Sequence, residues 1–240
     1  MRIETDWTFD AIKKLVLYED NHLLAMEKPA GMLTQADRTG DICLMDLARR
    51  YLAEKYAKRG EVYIGLVHRL DRPVGGVIVF ARTSKAARRL SEQFRARELK
   101  KVYRAVVEGK PDPPEGELTH WLLKSGTFIK VVRPRTPSSL EARLIYRTRE
   151  TRGDTSLVEV ELITGRRHQI RAQLAAIGCP IVGDIKYGAK ATERGVRRAS
   201  DIVSGIRLFA SCLTLRHPIT GAQITIEAST PRGFLTVDDR

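Results

Sequence analysis

Short apolar runs of strand length, each closed by a turn signal, recur along this chain and limit the folds open to it. Residues 15–18 and 22–26 flank Glu19-Asp20-Asn21 as two strands around a turn, and Lys28-Pro29-Ala30-Gly31 breaks the second. Residues 62–67 and 76–81 read as another pair, separated by a polar loop. Residues 102–107 alternate until Gly109, and 121–132 suggest a hairpin around Ser125-Gly126. Four more strands are expected at 140–148, 156–163, 207–215 and 223–228. Helical periodicity is confined to three segments. Residues 44–58 place Leu44, Leu47, Ala48, Tyr51 and Leu52 on one face. A second helix, capped by Thr83 or Ser84 and running to about 97, turns Ala87, Leu90, Ser91 and Phe94 inward. A third, 166–177, carries Ile170, Leu174 and Ile177 inward and stops at Gly178. The Pro-rich link 111–114 reads as a surface connection, and 190–204 as an exposed loop or short helix. Many hairpins and few helices make the class α+β, a mixed, largely antiparallel β-sheet with a few flanking helices. The expected organisation is a single domain over residues 1–240, with 1–27 an N-terminal extension leading into the first strands.

The charge is lopsided. Lys and Arg number 42 against 29 Asp and Glu, a formal net charge of +13, yet residues 1–60 carry 10 of each sign. The whole excess lies in 61–240, 32 against 19, which points to a polyanionic partner, nucleic acid first. The helix 85–97 with Lys100, Lys101 and Arg104, and the segment 130–152, suit phosphate contacts. Cys43, Cys179 and Cys212 are scattered and odd in number, against a disulfide framework or thiolate metal cluster. The five histidines show no ligand spacing, so no metal and no cofactor are expected. Glu4, Asp6, Asp10, Lys13 and Lys14 interrupt any secretory apolar core, and no apolar run nears the roughly 20 residues that span a bilayer. A cytoplasmic monomer that uses no membrane is the expectation.

Two polar stretches stand between these apolar runs: His68-Arg69-Leu70-Asp71 and Thr164-Gly165-Arg166-Arg167-His168-Gln169-Ile170-Arg171. A carboxylate between two buried strands is paired or chemically employed, because burying it alone costs several kcal/mol. Taken alone, Asp71-Arg72-Pro73 is also the pattern of an ordinary turn. The surroundings decide. Residues 68–76 resemble the H-R-L-D signature of the RluA family of pseudouridine synthases. Lys28-Pro29-Ala30-Gly31 resembles the family's K-P-x-G element, and 101–109 its K-x-Y-x-A-x-V-x-G strand. Thr164 to Arg171 is similar to its T-G-R-x-H-Q-I-R motif, and 178–188 to the tail that follows. Five elements in the family's order, over residues 28–188, make the match specific.

The resemblance implies the pseudouridine synthase catalytic fold and an isomerase that converts specific uridines of tRNA or rRNA to pseudouridine. It implies Asp71 as the catalytic carboxylate, Arg171 as the cation favouring its ionised form, and Tyr103 stacked on the target base. Arg69, two positions from Asp71 and so on the same side of an extended segment, would fill the gap left by a flipped nucleotide. Ile170 would wall the pocket, and Arg166, Arg167, His68 and His168 would help bind the substrate. For both histidines, structural hydrogen bonding is favoured over acid–base work. Val74-Gly75 replaces the family's usual Thr-Ser, and Gln173 stands where a His is frequent. The 27 residues before Lys28 are too few for the S4-type RNA-binding domain that many family members carry. The competing reading is a non-catalytic RNA-binding or ribosome-assembly factor on the same fold, which would be expected to lack Asp71, Tyr103 or Arg171. A metal-dependent nuclease would need further acids beside Asp71, and none flank it.

Overall fold

A computed structural model describes residues 7–190, 205–231 and 234. The chain divides into two compact units, residues 1–99 with 214–228 and residues 100–213 with 229–240. The link expected at 190–204 lies, beyond Lys190, outside the described residues.

In the first unit, β1 (Val16–Glu19), β2 (Leu23–Lys28) and β4 (Gly75–Ala81) form an antiparallel sheet in that order, with β3 (Gly65–Leu66) also on β4. Every residue of β4 is buried, which explains why its sequence is a continuous apolar run rather than an alternation. Ile78, Val79 and Phe80 are inaccessible to solvent, each contributing about 1.5–3 kcal/mol by burial. Helix α2 (Leu44–Lys55) buries the five residues its periodicity names. Helix α3 (Ser84–Ala96) is capped by Thr83, whose hydroxyl accepts the Ala86 N–H. Its fully buried residues are Ala86 and Leu90, so its inward face is turned slightly from the expected one, with Ala87, Ser91 and Phe94 half-buried. A short helix that the sequence reading omits, α1 (Phe9–Lys13), is capped by Thr8. The strand expected at 62–67 shrinks to the two residues of β3. Tyr63 is about half exposed, and Gly65 lies against Ala81, Ala87 and the Tyr63 hydroxyl, where an added methyl would be 2.9 Å from the Ala87 side chain.

In the second unit, β5 (Lys100–Glu108), β9 (Thr155–Leu162), β8 (Leu140–Arg152), β6 (Glu115–Ser125) and β7 (Phe128–Val132) form one antiparallel run in that order. The hairpin turn falls at Ser125-Gly126 as expected, but β6 begins at Glu115, directly after the Pro-rich link. Strand β10 (Leu208–Arg216) starts in the second unit and ends in the first, where β11 (Gln223–Glu227) pairs with it.

Helix α4 spans Gln169–Ala176, three residues shorter at its start than expected. His168 adopts a left-handed conformation (φ +51°), which helical residues cannot, so 166–168 form a turn leading into the helix. Gly178, at φ +77°, follows its end. All of Gln169 to Leu174 are buried, so this helix has no polar stripe, and Ile177 is only half-buried. The fold class is α+β with mostly antiparallel strands, as the hairpin pattern implies.

Candidate active site

In the first unit the Asp71 loop is held by the segment that follows β2. Lys28 ends β2 opposite Gly76, and its side chain is fully buried. Its Nζ donates to the carbonyls of Met32 (2.6 Å), Arg72 (3.0 Å) and Pro29 (3.1 Å), which uses all three ammonium protons. Gly31 N donates to Arg72 O at 2.8 Å, and Arg72 Nε donates back to Gly31 O at 3.0 Å. The far end of the Arg72 guanidinium meets Asp41 at 2.7 Å. The Thr34 hydroxyl donates to Leu70 O and accepts from Leu70 N. Residues 28–34 therefore clamp the backbone on both sides of Asp71, and Val74 N closes the turn on Asp71 O at 3.0 Å.

Within that clamp Leu70 is buried, Arg69 is exposed and Asp71 is half-buried. Burial pushes the Lys28 ammonium down to about 7; the carboxylate of Asp71 opposes that shift and the Arg72 charge adds to it. Lys28 thus feels Asp71 directly, although its hydrogen bonds go to the backbone around it. The His68 Nε2 accepts the Val79 N–H at 2.9 Å, and its ring stacks on Phe94 at 4.6 Å.

In the second unit Tyr103 is half-buried on β5 opposite Val160. The turn before α4 is organised by Gln169. Its side-chain oxygen accepts from the Thr164 hydroxyl (2.7 Å) and Arg166 N (2.9 Å), while its amide nitrogen donates to Arg143 O. Arg166 Nε donates to Glu141 O, and Arg167 is exposed. His168 Nδ1 lies 2.7 Å from the Tyr187 hydroxyl, which also accepts the Ile129 N–H. Ile170 is buried beside Arg171. Gln173, the departure from the family pattern, is buried; its amide nitrogen donates to the carbonyls of Leu118 and Ala142 and pairs with His120 Nδ1. Burial and the Arg133 charge hold His120 below its ordinary range.

Arg171 is almost wholly buried. Its Nε and Nη2 donate to the two carboxylate oxygens of Asp184 at 2.6 and 2.8 Å, and its guanidinium lies 4.9 Å from the Tyr187 ring. Asp184 itself is 1% exposed and heads the 3-10 turn Ile185–Tyr187. The charges are fixed in a planar, two-bonded geometry, the arrangement in which a guanidinium is best oriented.

The first unit gathers His68, Arg69 and Asp71 on one loop, and the second gathers Arg166, Arg167, His168, Ile170 and Arg171 on one turn and helix. Sequence reasoning gave no role to Lys28, Asp184 or Tyr187. A charged residue ending the apolar run of β2, and an Asp inside the apolar stretch after Gly178, were the available signals. Within 130–152 several of the cations have acidic partners. Arg143, Arg147, Arg149 and Arg152 are bonded to Glu117, Glu115, Glu159 and Glu150 at 2.6–2.7 Å. Among the described residues no cluster of three His, Cys, Asp or Glu is placed to hold a metal, and no helix is long and apolar enough to cross a membrane.

Comparison with known proteins agrees with these motifs. The family model described as RNA pseudouridylate synthase matches residues 22–176. A tRNA pseudouridine synthase C of Yersinia pestis is 33% identical, over 89% of this chain and 85% of the relative. Ribosomal large subunit pseudouridine synthase C of Escherichia coli is 31% identical, over 93% of this chain and 69% of the relative. Two further bacterial relatives are longer, and the chain spans 58% of each. The solved structure of human RNA pseudouridylate synthase domain containing 4 superposes with a TM-score of 0.77 at 25% identity, covering 94% of this chain and 92% of that one. The match takes in the Asp71 loop, the Tyr103 strand and the Arg171 helix, and the chain belongs to the RNA pseudouridylate synthase family of isomerases.

Proposed function

We propose that this protein isomerises uridines of structured RNA, tRNA or rRNA, with Asp71 as the catalytic carboxylate. The reaction breaks the N1–C1′ bond, rotates the base and joins C5 to C1′, the C5 proton being lost and N1 gaining one; it is redox-neutral. Asp71 would supply the nucleophile or base for the glycosidic step. Tyr103 would offer its ring to the base, Arg171 positive charge to the reaction, and Arg69 the guanidinium that replaces the extruded nucleotide. Ile170, Arg166, Arg167, His68 and His168 would shape and bind the substrate. Both units would act as one catalytic domain, since the family match runs through their boundary at Leu99. The enzyme would work as a cytoplasmic monomer without a metal; turnover insensitive to EDTA and a monomeric mass in solution are the corresponding checks.

The observation that carries this reading is the Asp71 loop. A half-buried carboxylate follows the buried Leu70 on a backbone pinned by Lys28, Gly31 and Thr34. Such rigidity is what a reacting group needs and a solvent-facing turn does not. Asp71→Asn should keep the fold and RNA binding while abolishing tritium release from 5-³H-uridine tRNA or rRNA. Activity within tenfold of wild type would sink the assignment.

A further inference from the structure

Cations in the second unit are treated in two ways. On the strands β5, β9, β8 and β6, Lys100, Arg143, Arg147 and Arg149 each face a glutamate at 2.6–3.0 Å. Residues 118–140 differ: they contain Lys124, Lys130, Arg133 and Arg135 and neither Asp nor Glu. All four are exposed, on the β6–β7 hairpin and the loop after it, and none forms an ion pair among the described residues. The acid nearest in strand register is Glu141, opposite Trp121.

Aromatic rings lie among these charges. Phe128 at the hairpin tip is 43% exposed, and Lys186 Nζ sits 4.7 Å from its centroid, anchored by a bond to Thr127 O. The Arg135 guanidinium lies 4.7 Å from the Trp121 ring. The hairpin is firmly based, since Leu122 and Ile129 pack with Ala142 and Ala172, and Ile129 N donates to the Tyr187 hydroxyl. An exposed ring flanked by unneutralised cations is poor design for a solvated surface but suits a strand of stacked bases and phosphates.

We infer that the β6–β7 hairpin and the loop to residue 135 are a docking surface for single-stranded RNA, with a base stacked on Phe128 and phosphates on Lys130 and Arg133. The inference rests on the proposed RNA substrate and extends it to an unpaired segment. A duplex keeps its bases stacked on each other and offers Phe128 no free π-face.

The test is fluorescence anisotropy of a labelled 12-nucleotide single-stranded RNA across a salt series. The Lys130→Ala/Arg133→Ala pair should lower the slope of log affinity against log salt by about 1.4, at about 0.7 for each lost phosphate contact on single strands. Phe128→Ala should weaken binding about tenfold with an unchanged slope, and Phe128→Trp should restore it. An Arg147→Ala/Arg149→Ala pair, whose arginines are matched by their own glutamates, should change affinity less than twofold. Unchanged binding in the hairpin variants, an equal loss from the Arg147/Arg149 pair, or equal affinity for a 12-base-pair duplex would each overturn the inference. Tritium release by the wild type from 5-³H-uridine tRNA and rRNA, run in parallel, keeps the two readings apart. No product from either RNA would sink the proposed activity and leave the binding result standing, whereas product with unaltered hairpin binding would remove only this surface.

Discussion

The two motif loops each bury a cation and fasten it differently. Lys28, with no exposed surface, is surrounded by three backbone carbonyls; Arg171, 6% exposed, is held by the Asp184 carboxylate through two parallel bonds. Carbonyl dipoles satisfy hydrogen bonds without cancelling charge, so burial drives Lys28 down to about 7 even with Asp71 nearby. A carboxylate cancels the charge outright. The chemistry of each side chain fits its task. Lysine's compact ammonium ties together three chain segments from one point, and arginine's planar fork fixes an orientation. The Lys28 contact therefore positions a backbone, the one that carries Asp71, while the Asp184 contact positions a side chain, Arg171 itself.

Removing the partner of Arg171 should have the largest effect. Asp184→Ala takes both charge-assisted bonds to a carboxylate away from a buried guanidinium and should cost about 3–5 kcal/mol in denaturant unfolding. Asp184→Asn retains shape and one acceptor and should cost less. Equal, small losses from both would mean that the pair is a bystander and that α4 is held by packing alone.

Lys28→Met should cost less, about 1–3 kcal/mol, because it strands carbonyls rather than a charge. It should also change how stability depends on pH. The folded value of Lys28, about 7, lies below the unfolded 10.5, so between those values the unfolded chain holds more protons. Stability should then rise with pH across that window, by at most about 1.4 kcal/mol per unit, and fall as pH drops through 7. Lys28→Met should lose that rise. Parallel stability curves for the two proteins between pH 7 and 10.5 would show that the ammonium is not penalised by its burial.

How far the sequence foretold these arrangements depends on where the partner lies. The buried face of α2, the Thr83 cap and the Gly178 stop are local, and each was readable from spacing or from a backbone conformation that one residue type favours. Helix α1 is five residues long, too short for a period to register, although its Thr8 cap is ordinary. The left-handed His168 that delays α4 has no marker in the sequence, because His tolerates that conformation without announcing it. At the site, Asp71 and Arg171 stood out as charges between apolar runs. The function of Lys28 did not, since its carbonyl acceptors carry no residue signature and one of them is 44 positions away. Asp184 was visible in the tail motif, but its pairing with Arg171, 13 residues earlier, required the turn at 178–184.

The smallest contrast concerns the two histidines, and it follows the same division. His68 serves a backbone: its Nε2 is the acceptor for Val79 N in the fully buried strand β4. His68→Phe keeps the stacking on Phe94 but leaves that N–H without its acceptor in a place water reaches poorly, a loss of about 1–2 kcal/mol. His168 serves a side chain, the Tyr187 hydroxyl, which keeps its bond from Ile129 N when the imidazole is gone. His168 is half-exposed, so water can replace it. Asn is the fitting substitution there because it too accepts left-handed backbone, and His168→Asn should cost no more than about 0.5–1 kcal/mol. Paired denaturant melts of the two variants at one pH decide the matter. If His168→Asn destabilises more than His68→Phe, the turn before α4 depends on its side-chain contact as much as the Asp71 loop depends on its backbone clamp, and the distinction between the two loops fails.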